Sequence, residues 1–459
     1  MIPKDILEEV LEKALSLGGD FAEIFIEDRI NNSLRIVNGK MEDVLSGRDY
    51  GAGIRIMKDF RSVYAYTNDT SRNNLLDTAY KAACALKYSE QDLKVGLVER
   101  IATNISPIKY VPSSISNVKK TEVLKTAYKV AKEYSPEIIQ VTVGYGDVDQ
   151  KVLIANSEGL YIQDRRVRTR LFIQSVAGDG KENQTGFEGP GAGRGFEFFE
   201  MIDVEAYAKE ASRTAVTMLH ADLCPAGRMP VVIDNGFGGV IFHEACGHAL
   251  EATSVAKGHS VFTNKIGEKI ASEKVTAIDD GTIPNAWGSI NIDDEGTPSQ
   301  KNILIEKGIL KGYMIDKLNG RRMGMESTGN SRRQSYRYSP TSRMTNTYIA
   351  AGEDNEEDII SSTAEGLYAK KMGGGSVNPV TGEFNFAVAE GYLIRNGKID
   401  KPVRGATLIG KGSEVLLRID MVGKNLSLGQ GMCGSVSGSI PANVGQPMIR
   451  VSELIVGGR

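Results

Sequence analysis

Two of the four histidines in this 459-residue chain fall within one six-residue window, in Val240-Ile-Phe-His-Glu-Ala-Cys-Gly-His-Ala-Leu-Glu251. The segment is otherwise apolar, and an imidazole or carboxylate placed in such a run is costly unless it has a partner or a task. His243-Glu244 followed by His248 approaches the signature His-Glu-x-x-His, in which two imidazoles one turn apart hold zinc and the Glu acts on water. The spacing is longer by one residue. Five steps of an ideal α-helix put the two rings roughly 140° apart, where four would leave about 40°. A single turn of i→i+5 hydrogen bonds would return them to one face, and Gly247 suits local backbone irregularity there. Two core histidines satisfied by carbonyls are the bland alternative, but their coincidence with a carboxylate in a chain this poor in histidine favours a metal site.

Zinc suits imidazole and thiolate better than magnesium or calcium does, and a catalytic zinc takes three protein ligands and leaves one position open. A third ligand must come from elsewhere. The candidates are Cys246, Glu251, His259, the acids Asp279-Asp280 and Asp293-Asp294-Glu295, and Cys433. Cys246 lies on another helical face and reads as a small buried apolar residue. Cys433, in Gly429-Gln-Gly-Met-Cys-Gly434, has flanking glycines that suit a ligand presented on a tight turn. Spacing alone does not choose among them. His220 and His259 have no ligand spacing and read as surface or capping residues.

The elements that must position these groups divide the chain. Apolar residues at helical spacing over 4–17, stopped by Gly18-Gly19, predict an amphipathic helix. Alternation over Phe21–Glu27, a pause at Asn31-Asn32 and extended stretches to Tyr66 predict a hairpin or meander, followed by a helix through Leu75–Leu86. The order recurs, with a helix over about 119–134 and strands from Ile138 to Val176 broken at Asn156–Gly159, a weak helix-hairpin repeat. Gly186-Phe-Glu-Gly-Pro-Gly-Ala-Gly-Arg-Gly195 reads as a flexible or tightly turned connector; it lacks the Lys-Ser/Thr ending of a phosphate loop. A helix over about 203–219 leads to Cys224-Pro225, after which short apolar runs and frequent glycine predict a β-rich unit. The expected fold is α+β: an N-terminal domain of helices packed on antiparallel strands (1–220), in two helix-hairpin halves, then a β-rich domain (226–459) holding the metal site.

Composition narrows the function. A hydrophobic content of 41% with 25% charged residues describes a globular chain, and Lys+Arg 55 against Asp+Glu 58 leaves a net charge of -3, too balanced to draw nucleic acid or an anionic bilayer by overall field. Four cysteines are too few to staple this length, which favours a reducing, cytoplasmic setting. No run reaches the length of a membrane helix. Arg321, Arg322, Arg332, Arg333, Arg337 and Arg343, interleaved with Tyr336 and Tyr338, form a basic cluster without a nucleic-acid motif. Pairing with the acids between Asp279 and Glu295 is the favoured reading, and contact with a peptide substrate the next.

His243–Glu251, Asp279-Asp-Gly-Thr282, Asp293-Asp-Glu-Gly-Thr-Pro298, Leu310-Lys-Gly-Tyr313, Gly329-Asn330, Arg332-Arg333, Arg343-Met-Thr-Asn346, Gly373-Gly-Gly375 and Met432-Cys-Gly434, taken in this order, resemble the TldD/PmbA family of metallopeptidases. The resemblance covers about Arg228 to Gly458 and, by element order and Tyr50-Gly-Ala-Gly-Ile-Arg55, the first half. It implies zinc held by His243, His248 and Cys433, with Glu244 as general base, hydrolysis of unfolded or small peptides, and a PmbA/TldE-like partner subunit. Some members are labelled modulators of DNA gyrase, which names a phenotype. Two other classes stay open: a regulatory interaction protein with a structural zinc, closed by a fourth ligand such as Glu251 or Asp279, and a zinc amidase acting on a non-peptide amide.

Overall fold

In the computed structural model, which describes residues 2–86, 91, 93–378 and 381–458, the first helix runs Lys4–Leu15 and buries Leu7, Val10, Leu11, Ala14 and Leu15. It packs with the helix Arg72–Ala85 on one face of an eight-stranded sheet, over Ala22, Ile24, Ile26, Ala52, Ile54 and Ile56. The helices Asn117–Glu133 and Val204–Leu219 cover the other half of that face. Asp203 caps the second of these, its carboxylate accepting from the Ala206 amide at 2.9 Å. The predicted repeat is therefore a repeat of helix, long hairpin and helix. Its two first strands, Phe21–Val37 and Ile138–Asn156, pair antiparallel at the sheet centre from Glu23 opposite Asn156 to Val37 opposite Thr142.

Two local expectations change. The turn of the first hairpin is Asn38-Gly39, both with positive φ, and Asn31-Asn32 lies inside the strand, where Asn32 donates to Asp147 at 2.7 Å. Asn32 is held across the strands and Asn31 Oδ1 accepts from Arg29 Nε on its own strand at 2.7 Å, so they do not break the strand. The glycine-rich stretch 178–195 is no free connector either. It contains the strands Asn183–Glu188 and Gly191–Ala192, paired to Leu160–Gly178. A Cβ on Gly186 would sit 1.9 Å from the Ala211 carbonyl, so glycine there admits a strand beneath a helix.

The opposite face of the sheet is buried too. Phe25, Val152, Ile154, Leu160 and Ile162 pack against Ile292 and Tyr336 of the second half. Glu23 and Glu27, which alternate with the apolar residues, are consequently inside, and both are paired across that junction.

Among the described residues, the second half is built from a two-stranded ribbon, Ser331–Arg332 against Thr341–Ser342, and two large sheets. In one, Glu365–Val377, Gly227–Ile233, Ile449–Gly457, Thr407–Lys411 and Glu383–Arg395 pair in that order, and the last closes on the first. In the other the order is Ile309–Leu310, Lys301–Glu306, Ala277–Asp280, Asn346–Ile349, Gly438–Gln446 and Ser427–Ser435. The chain between the strand Gly227–Ile233 and Val255 fills the space between these sheets, contributing Phe242, Ala245, Cys246 and Leu250 to the core. No described helix is long and apolar enough to cross a membrane.

Candidate metal centre

The strand Gly227–Ile233 is buried through Val231, Val232 and Ile233, which fixes where the following segment begins. The chain then winds through a 3-10 turn, Gly236–Gly239, one α-turn at Val240–Phe242, a π-turn at His243–Gly247 and a second 3-10 turn at His248–Leu250. The His248 amide donates to the His243 carbonyl, so the i→i+5 hydrogen bond joins the two histidines themselves. This is the distortion their spacing requires, and it brings the ring centroids within 5.2 Å at an interplanar angle of 86°. Gly247 contributes differently from the expectation. Its backbone is ordinarily helical, with φ -56, but a Cβ would lie 2.3 Å from the Met344 sulfur. Close approach of the neighbouring segment, not backbone freedom, demands glycine.

Cys433 comes from the edge strand Ser427–Ser435, where it pairs with Ile440 of Gly438–Gln446. It thus sits in a strand, and the tight turn expected around it lies further on, between Ser435 and Gly438. Of the glycines taken as a turn signal, Gly429 instead lets the strand pass the Gly236–Gly239 turn: a Cβ would meet the Phe237 backbone at 2.8 Å. The Cys433 sulfur lies 3.3 Å from His243 Nε2 and 3.4 Å from His248 Nε2. Zinc–sulfur and zinc–nitrogen bonds at a tetrahedral angle separate their ligand atoms by about 3.5 Å. Both sulfur–nitrogen distances stand close to that spacing, all three donor atoms lie within 4.8 Å of one another, and the donor set of two imidazoles and a thiol is one zinc favours. Burial opposes ionisation of Cys433, yet the two histidines hold its thiol well below the ordinary range. Burial likewise opposes a charged His248, and Glu251 together with Cys433 outweighs it, raising that imidazole well above the usual value.

Other groups complete the surroundings. Glu244 Oε2 is 3.8 Å from His248 Nε2, with its side chain about one-third exposed. Glu251 accepts from His248 Nδ1 at 3.0 Å, on the ring edge away from the sulfur, so it orients the ring and is not placed as a ligand. Arg343 is fully buried; it donates to the Cys433 carbonyl and, at 2.8 Å each, to Ser437 Oγ and the Gly438 carbonyl. Trp287 donates its indole N–H to the Gly431 carbonyl at 2.8 Å. These roles of Arg343 and Trp287 escaped the sequence reading. The available signals were the uniqueness of Trp287 and the position of Arg343 in a run of matched residues.

The remaining candidates lie apart. Cys246 is buried in the apolar core, which pushes its thiol well up. Asp279 is saturated by Asn330, Thr345 and Thr347, and Asp280 accepts from Thr282. Asp293 accepts the amides of Glu295, Thr297 and Ser331. His259 is exposed, and His220 ends its helix against Glu137 at 2.8 Å. Half of the basic cluster pairs with acids, though other ones than expected, while Arg322 and Arg332 are held by oxygens of Asn319, Phe60 and Met344. Arg321, Arg333 and Arg337 reach Asp20, Glu23 and Asp49 of the first half. The carboxylates of Asp294 and Glu295 receive Arg166 and Arg55 in exchange. Two docked faces, each with buried charge of both signs, satisfy each other across the junction.

Comparison with known proteins agrees with this architecture. Residues 22–86 match the PmbA/TldA metallopeptidase domain 1, residues 110–219 its central domain and residues 226–458 its C-terminal domain. A Haemophilus influenzae protein named metalloprotease TldD homolog is 40% identical over 96% of this chain and 93% of its own. Among solved structures, a Thermotoga maritima protein described as a putative modulator of a DNA gyrase superposes with a TM-score of 0.82 at 22% identity, over 99% of this chain and 100% of that one. TldE from Thermococcus kodakarensis superposes at 0.78 with 20% identity, over 99% and 100%. The chain belongs to the PmbA/TldD family of metallopeptidases.

Proposed function

We propose that the chain is a zinc-dependent peptidase that hydrolyses peptide bonds in unfolded or small peptides, with zinc held by His243, His248 and Cys433. The observation that carries this reading is the convergence of these three donor atoms beside the accessible carboxylate of Glu244. When bound, the zinc would polarise a carbonyl and acidify water. Glu244 Oε2 takes the proton of the attacking water and passes it to the leaving amine nitrogen. Glu251 keeps His248 Nδ1 protonated, which leaves Nε2 free to donate its lone pair. A structural zinc would need a fourth protein ligand, and among the described residues Glu251 and Asp279 are committed elsewhere. A TldE-like subunit is the proposed partner, by kinship with the TldE fold. The four free cysteines fit a reducing cytoplasm.

The test is hydrolysis of a panel of unstructured peptides and small non-peptide amides by the chain alone and with a TldE-type subunit. Zinc-dependent cleavage of peptides that disappears in Glu244→Ala is the expected outcome. Turnover of amides alone, or undiminished peptide cleavage by the variant, would contradict the reading.

A further inference from the structure

The two groups that steady the donor set come from different elements and face each other. Glu251 ends the segment carrying both histidines and holds His248 Nδ1 through Oε2. Arg343 lies next to the strand Asn346–Ile349 and holds the Cys433 backbone and the turn at Ser437 and Gly438 through its two terminal nitrogens. The inward atoms of the pair, Arg343 Nε and Glu251 Oε1, are both buried, both without a hydrogen-bond partner, and 4.0 Å apart. A buried guanidinium and a buried carboxylate left half-satisfied at that separation interact strongly, because little solvent screens them.

We infer that Arg343 and Glu251 are a coupled pair of positioning residues which sets the distance between the thiolate of Cys433 and the imidazole of His248. The inference rests on the zinc reading above. Glu251 fixes the ring orientation of one ligand, Arg343 fixes the backbone of another, and their mutual attraction links the π-turn segment to the edge strand. Neither residue touches the reacting atoms. Their effect is preorganisation: a donor triangle already held at metal-binding size needs little rearrangement on binding.

The experiment is a chelator-competition titration of zinc into the full-length chain, with cobalt(II) as a spectroscopic substitute. It uses wild type, Glu251→Gln, Arg343→Lys, the double variant and His243→Ala. Glu251→Gln is expected to weaken zinc by about 10–100-fold. Arg343→Lys keeps the charge but loses the fork, and should diminish the thiolate-to-cobalt charge-transfer band that Glu251→Gln leaves in place. In the double variant the loss in affinity should be smaller than the product of the two single losses. Wild-type affinity in Glu251→Gln, or strictly multiplicative losses, would overturn the inference while leaving the zinc reading intact. Equal zinc binding by wild type and His243→Ala would instead overturn the zinc reading, and the inference with it. Glu251→Gln replaces one oxygen by an amide nitrogen, so it reads out even where Arg343→Lys fails to fold.

Discussion

Cys433 and Cys246 show how far residue identity is from residue role. Both are buried thiols near the histidines, yet burial alone pushes Cys246 up, whereas the two imidazoles hold Cys433 down. Cys433→Ala should therefore lose most bound zinc, and Cys246→Ala should retain it at a modest packing cost, as metal content after dialysis would show. Equal zinc in the two variants would reverse the assignment. Glu244 was legible from sequence because it lies between two imidazoles only five residues apart. Arg343 was not, because its partners are backbone carbonyls some ninety residues downstream, and such contacts leave no spacing to read.

At the scale of elements, the irregular segment from Gly236 to Leu250 depends on tight lateral packing. Gly247→Ala would drive a methyl group into the Met344 sulfur. Overpacking of this kind costs about 1–3 kcal/mol, and denaturant unfolding of the zinc-free chain should show it. In a Met344→Ala background, where room is opened, Gly247→Ala should cost less than it does in the wild-type chain. An undiminished cost there would mean that the backbone, and not the Met344 contact, requires glycine. The amphipathic helices and the hairpin order could be read from periodicity, since each buries one stripe against one sheet face. The turn at Asn38-Gly39, the pairing of 183–192 and the placement of Cys433 in a strand could not. The Asn38-Gly39 turn follows a local Asn-Gly signal that helical and strand periodicity does not carry, and in the other two cases a cross-strand partner or a close approach overrides a local glycine signal.

Across the whole molecule, buried charge joins the first half to the second. Arg333 and Arg55 both pair with Glu23 at 2.7 Å, with all three side chains essentially inaccessible. Arg333→Met would leave Glu23 with one cation instead of two, and losing a partner from a buried pair costs up to about 3–5 kcal/mol. A shift of the unfolding midpoint much below that range would show that Arg55 alone satisfies Glu23. A second junction joins Arg213 and Lys371 to Glu210 and Glu390. Burial opposes ionisation of Glu210, but hydrogen bonds from Arg213 and Lys371 prevail and lower its pKa to about 2. A carboxylate depressed in the folded state contributes stability above its unfolded value of about 4.5, and loses it as pH falls toward 2. Glu210→Gln should melt earlier than wild type at pH 7, with the gap closing between pH 4.5 and 2; a constant gap would contradict this origin. All of this scaffolding serves one arrangement, two imidazoles and one thiolate gathered from segments almost two hundred residues apart. X-ray absorption at the zinc edge of the zinc-loaded chain tests it most directly. The expected spectrum has a single sulfur near about 2.3 Å and light ligands near about 2.0–2.1 Å, two of them imidazole. A zinc shell without sulfur, or with more than one, would contradict the site proposed for this peptidase.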